Sequence, residues 1–258
     1  MTKRKHKSTI NIIVYFTLRI LVLISLIGQA IRGNWNNVFL CILTLILFTL
    51  PTLLTKKFKI TVPQTLEIVV YLFIYAAEIL GEIQNFYGIF LHWDTMLHTL
   101  NGFIAAAVGF SLIDILNHNK NFHINMSPAF ASLVAVCFSM SIGVIWEFAE
   151  YAADRYLEKD MQKDVILNKI TSIKLNKSNE NIPVTIDNID RTIIVSNNSE
   201  IVIENGYLEL GINDTIKDLF VNFIGAVIFS IFGYLYVKNR KGKSFLEVFL
   251  LKITNETT

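Results

Sequence analysis

Six stretches of about twenty residues, each nearly free of charge, decide what this chain can become. In hydrocarbon every backbone N–H and C=O must be satisfied within its own segment, so runs of that length are read as membrane-spanning helices. They cover 9–31, 36–54, 63–84, 93–116, 128–157 and 215–237. Composition agrees: 53% of the 258 residues are hydrophobic and 17% charged, against roughly a quarter charged in soluble proteins. An ordinary soluble domain, a disordered chain, a collagen, a disulfide scaffold and a nucleic-acid binder are excluded together. Cys41 and Cys137 both lie inside apolar runs, so no structural disulfide is expected. The expected fold class is an all-α polytopic membrane protein, a six-helix transmembrane bundle with a small β-rich extracytoplasmic insert.

The charges between the runs orient them by the positive-inside rule. Lys3, Arg4, Lys5 and Lys7 precede the first run, and Lys56, Lys57 and Lys59 separate the second from the third. Lys120 follows the fourth, and Lys238, Arg240, Lys241 and Lys243 follow the sixth. Of the alternate connections, the first holds only Arg32 and the second, between Gln84 and Trp93, no Lys or Arg. Both termini are therefore expected in the cytoplasm of a multi-pass plasma-membrane protein. The first apolar stretch is too long for a signal peptide and lacks a small-residue cleavage site, so it reads as a retained anchor. Pro63 and Pro128 open their runs where a missing N–H has no partner to lose. Pro51 should kink or end the second run.

The chain accordingly divides into helices one to five (1–157), an outer insert (158–213), helix six (214–237) and a cytoplasmic tail (238–258) with no assigned role. Within the insert, the β-branched runs Thr171–Leu175, Pro183–Ile186, Arg191–Val195 and Glu200–Glu204 alternate with Asn-rich turns. Asn205-Gly206 predicts a two-residue hairpin joining Ile201–Glu204 to Tyr207–Leu210. The expectation is a small β-meander that leans on the membrane domain and presents a surface to an envelope partner.

An ionisable side chain near the bilayer centre costs at least about 2.5–3.5 kcal/mol on insertion scales, so each one needs a reason. The third run carries Glu78 and Glu82 on one face, and the fourth carries Asp94, His98 and Asn101. The fifth ends with Glu147, Glu150 and Asp154 on one stripe, and the sixth opens with Asp214, Asp218 and Asn222 on another. The topology places all four stripes in the outer half of the membrane. Singly, such acids are often solvated helix ends, and Asp94 and Asp214 suit N-caps that answer the helix dipole. Glu78, His98, Glu147, Asp218 and Asn222 lie deeper, where a water-filled cavity is the usual explanation.

Basic partners are scarce, so a divalent metal ion is the economical neutraliser. Oxygen ligands suit Mg²⁺, Mn²⁺ or Ca²⁺, and His98 adds Zn²⁺ or Fe²⁺; Mg²⁺, Mn²⁺ and Zn²⁺ are the leading candidates. In this scheme His98, Glu147, Glu150 and Asp218 bind the metal, and Asp94 or Glu78 acts as general base on a metal-bound water. The reaction class would be hydrolysis or transfer at a lipid headgroup or envelope precursor. A cation or small-solute transporter, or a non-catalytic envelope scaffold, would use the same acids or the insert. Arg19 snorkels to the cytoplasmic side or meets an internal partner such as Glu78. Glu67 and Asp114 read as interfacial, and Gly102, Ala105, Ala106, Gly109, Gly225 and Gly233 as faces for close helix packing.

Several of these stretches carry a resemblance. Glu78–Tyr87, His92–His98, Trp146–Glu150, Asp160–Lys163 and Asp214–Leu219 together resemble the YjdF-type family of bacterial inner-membrane proteins. The likeness covers most of 60–237 except much of the insert, where members of that family have a short link. Asp218-x-x-x-Asn222-x-x-Gly225 is more distantly similar to VanZ-like envelope proteins. Neither resemblance implies a reaction; both imply a multi-pass protein of the bacterial envelope.

Overall fold

The computed structural model describes residues 9–58, 60–118, 126–178, 180–197, 199–238 and 245–253. Lys3, Arg4, Lys5, Lys7, Lys59, Lys120, Arg240, Lys241 and Lys243 lie outside the described residues. The chain divides into two units: Met1–Val144 with Asp218–Thr258, and Ile145–Lys217.

Helices dominate. α1 (Thr9–Ile31) ends just before Gly33, whose φ of +71° suits a left-handed helix stop. α2 (Trp35–Leu47) starts on Asn34, whose side chain accepts the Asn37 N–H. α3 (Leu50–Phe58) follows two turn residues later. The break expected at Pro51 therefore falls at Phe48–Thr49, and Pro51 sits in the first turn of α3, where its missing N–H is harmless. α4 (Gln64–Tyr75) continues without a gap as a π-helix, Ala76–Ile83, and α5 (Phe86–Ile89) is a single turn. α6 spans Trp93–His118, α7 Pro128–Leu157 and α8 Ile212–Lys238. Pro128 opens α7 as expected, and Ser127 Oγ accepts the Phe130 N–H there.

Five helices among the described residues are long and apolar enough to cross a membrane: α1, Trp35–Lys57, α6, α7 and α8. The remaining expected span, the third at 63–84, is helical but divided, 12 residues of α-helix and eight of π-helix. Widening to i→i+5 bonds is rare and recurs at functional sites; here it coincides with Glu78 and Glu82.

In the first unit, two cores form along these helices. One joins Leu66, Ala106, Phe110, Ala135 and Phe229, and the other Leu18, Val22, Cys41, Phe48 and Tyr71. The tail given no role belongs to the first core. Leu246, Phe249, Leu250 and Leu251 are buried in it, the Leu251 N–H donates to Ser111 Oγ, and Lys252–Ile253 pairs antiparallel with Ile60–Thr61. The opposite faces of the long helices stay apolar and exposed, as at Ile13, Phe16, Ile24 and Ile27 of α1, the pattern of helices solvated by lipid.

The second unit holds three two-stranded antiparallel ribbons. Val165–Leu167 pairs with Tyr207–Glu209, Ile170–Ser172 with Val184–Ile186, and Arg191–Ser196 with Ser199–Glu204. The hairpin expected at Asn205-Gly206 is not formed. Ser199–Glu204 turns back on Arg191–Ser196 instead, and Tyr207–Glu209 closes on the first strand of the segment. Asn205 (φ +63°) and Gly206 (φ +151°) serve as a bend between ribbons, and a side chain at Gly206 would collide with the Leu167 carbonyl. Glu209 then caps α8, accepting the Ile212 N–H at 2.9 Å and the Asn213 N–H at 3.2 Å. Burial works to raise its pKa, but these bonds and that from the Asn213 side chain outweigh it and hold the carboxyl below its ordinary range.

Candidate functional site

Two helices of the first unit bring ionisable groups together. Asp94 and His98 occupy the first two turns of α6, four residues apart and so on one face; Asp218 lies on the second turn of α8. His98 Nε2 is 3.3 Å from Asp94 Oδ1 and 3.9 Å from Asp218 Oδ2. One ligand-type atom from each residue lies within 4.8 Å of the other two. Asp218 is 1% exposed and His98 9%, and Asp94 is half-buried. Ligands at about 2.1 Å from a tetrahedral ion stand roughly 3.4 Å apart, close to these separations.

The convergence follows from how α6 and α8 pack. His98 meets Asp218, Gly102 meets Asn222, Phe103 meets Phe229 and Phe110 meets Gly233. Partner numbers rise together, so the helices run in the same direction. A Cβ on Gly102 would lie 2.0 Å from the Asn222 carbonyl oxygen, and one on Gly225 2.0 Å from that of Thr99. Only glycine lets the two backbones approach this closely. One turn below the ionisable group, Asn101 Nδ2 donates to Asn222 Oδ1 at 3.1 Å. Asn222 Nδ2 points to the Ser139 carbonyl of α7 at 3.4 Å, and Ser139 Oγ donates to the Gly102 carbonyl at 2.9 Å.

The other residues singled out from sequence are placed differently. Glu78 is half-buried and Glu82 exposed on the π-helix, whose first carbonyl, Ala76, accepts Trp93 Nε1–H at 3.3 Å. Neither belongs to the group of three. Glu147 and Glu150 belong to the second unit; they are 4% and 8% exposed, and Glu150 accepts Trp146 Nε1–H at 2.8 Å. Asp154 uses both oxygens on backbone, accepting the Met161 N–H at 2.6 Å and the Gln162 N–H at 2.9 Å. Asp214 accepts the Lys163 N–H at 2.8 Å and lies 3.4 Å from Lys217 Nζ. With Gln162 Nε2 donating to Thr215 Oγ1 at 2.6 Å, these two acids pin the Asp160–Lys163 stretch. Their geometry is that of structural acceptors.

One further position departs from expectation. Glu67 is buried, not interfacial: it accepts Asn11 Nδ2–H at 2.5 Å and Tyr71 Oη–H at 2.6 Å, both from residues at most 1% exposed. Arg19 donates to Tyr15 Oη at 2.6 Å and lies over that ring, one turn toward the N-terminal end of α1, so its partner is Tyr15. Asn11, a polar side chain near the start of the first apolar run, was the available signal for Glu67.

Comparison with known proteins follows the same outline. A family model described as predicted membrane protein (DUF2238) matches residues 10–239. The chain belongs to this membrane-protein family. It is also similar to an uncharacterized protein of Thermotoga maritima, 25% identical over 96 residues, which cover 37% of this chain and 47% of the relative. The match thus spans about half the length of that relative. No solved structure matches the chain.

Proposed function

For this member of the DUF2238 family we propose that Asp94, His98 and Asp218 form a divalent-metal site in the outer half of the membrane, serving hydrolysis or transfer at a lipid headgroup or envelope precursor. The observation that supports it is the buried meeting of one imidazole nitrogen and two carboxylate oxygens from two helices. A nitrogen beside two oxygens favours Zn²⁺ or Mn²⁺ over Mg²⁺, which prefers all-oxygen shells. Such an ion supplies Lewis acidity and lowers the pKa of a bound water. Asp94, assigned from sequence as a base, acts here as a ligand, which leaves Glu78 as the candidate base. In this reading the divided helix over 63–84 also crosses the membrane and completes the six spans, both termini are cytoplasmic, and the β-rich segment is extracytoplasmic and meets an envelope partner. The distribution of Lys and Arg between the connections supports that orientation.

Metal analysis of purified protein tests the proposal. The expected result is about one Zn²⁺ or Mn²⁺ per chain, lost in Asp218→Asn and His98→Ala and kept in Asp154→Asn. No ion in the wild type, or the same content in all variants, rejects it.

A transport reading draws on one observation, the burial of Glu67 with Asn11 and Tyr71 at the far end of the first unit's helices from the group of three. It requires gradient-dependent uptake in proteoliposomes that Glu67→Gln abolishes. Uptake indifferent to Glu67 removes it.

A further inference from the structure

We infer that Asn101 and Asn222 are positioning residues, whose amide hydrogen bond locks the register of α6 against α8 and thereby sets the spacing of Asp94, His98 and Asp218. The inference rests on the metal reading of that group and deepens it.

Asn222 is fully buried, in a stretch of α8 that is otherwise apolar below Asp218. Its one short side-chain bond is the 3.1 Å contact from Asn101; its bonds to Ser139 and Met140 are 3.4 Å or longer. An amide in such a place is satisfied in one register and stranded in others, which is how single buried asparagines fix helix alignment. The glycines at 102 and 225 cannot do this alone. They permit close approach, but a smooth surface resists sliding weakly.

The amide pair is well placed for the task. Asn222 lies four residues beyond Asp218 on α8, and Asn101 three beyond His98 on α6, so the lock sits directly beneath the metal group. A slip of one turn moves a helix by about 5.4 Å, more than the whole 3.9 Å separation of His98 and Asp218. Slipped one turn toward the C-terminal end of α6, Asn222 would face Ala105 and Ala106, which offer no side-chain partner.

The test pairs metal affinity with a register readout. Zn²⁺ affinity is measured on the full chain for Asn101→Ala, Asn222→Ala and the double variant. In a background carrying Cys41→Ala and Cys137→Ala, disulfide formation is compared between Phe103→Cys/Phe229→Cys, neighbours in this register, and Ala107→Cys/Phe229→Cys, displaced by one turn in the direction that carries Asn222 to Ala105 and Ala106. The expected result is a loss in Zn²⁺ affinity of about 10–100-fold, the range typical of supporting residues around metal ligands. The double variant should be no worse than either single one, and the displaced pair should cross-link only when an asparagine is missing. Unchanged affinity with a lower melting temperature marks a merely structural role and overturns the inference. If the wild type binds no Zn²⁺, the metal reading fails, and the cross-linking pattern alone then decides whether the lock exists.

Discussion

Replacing Gly225 with alanine should force α6 and α8 apart. The new methyl would lie 2.0 Å from the Thr99 carbonyl oxygen and 3.0 Å from the Phe103 nitrogen, both backbone atoms that cannot swing aside. Restoring ordinary contact requires a separation of roughly 1 Å or more, which a close-packed interior resists. Overpacking of this kind costs about 1–3 kcal/mol. The same movement stretches the Asn101–Asn222 bond, worth about 0.6 kcal/mol on average for interhelical bonds in a membrane. The expected total is about 2–4 kcal/mol. Gly102→Ala strains the same interface, so the double variant should lose less than the sum of the two. Gly28→Ala is the control. Nothing lies within 4 Å of the Cβ it adds to α1, so it should gain about 0.5–1 kcal/mol from helix propensity. Apparent melting in one detergent, followed by intrinsic fluorescence, reads all four variants. If Gly225→Ala melts with or above the wild type, the close helix contact described for α6 and α8 is wrong.

Three further expectations concern other parts of the chain. Glu67→Ala leaves the buried Asn11 amide and Tyr71 hydroxyl without that acceptor, at about 1–3 kcal/mol each, while Glu67→Gln keeps a carbonyl there and should lose less; melting temperatures rank the two. The depressed pKa of Glu209 means that its cap contributes stability above the unfolded value of about 4.3 and loses it as pH falls through the lower folded value. Hydrogen-exchange protection at Ile212 and Asn213, taken relative to the intrinsic rate at each pH, should therefore fall only in acid, and Glu209→Gln should abolish that dependence; protection in the wild type that stays constant into acid contradicts the cap. Ending the chain at Lys238 removes Leu246, Phe249, Leu250 and Leu251 from the core, which should cost several kcal/mol, and a truncated protein that melts like the full chain would contradict their burial.

How much of this was legible beforehand depends on whether the deciding contact is local. The long apolar runs are local, and α1, α6, α7 and α8 appear where hydropathy puts them. Asp94 and His98 are also a local pair, four residues apart on one helix face. Their meeting with Asp218 is not local, yet the polar stripe on α8 marked it, because an acid that deep in an apolar helix needs partners. Asn205-Gly206 misled for the opposite reason. The dipeptide reports only that a left-handed bend is affordable there, and whether the flanking strands pair depends on competitors elsewhere, here Arg191–Ser196 and Val165–Leu167. Glu67 read as interfacial because distance from a helix end is visible in sequence, whereas the neighbour that covers that end is not. The apolar run Phe245–Leu251 carried a usable signal, but one too short to span a membrane and without a partner that sequence could name.

Whether Asp94, His98 and Asp218 hold one metal ion is decided by X-ray absorption on the zinc-loaded protein. The expected first shell is nitrogen and oxygen at about 2.0–2.2 Å with the outer-shell scattering of a single imidazole, which disappears in His98→Ala. A shell of oxygen alone, or a spectrum unchanged by His98→Ala, would contradict it.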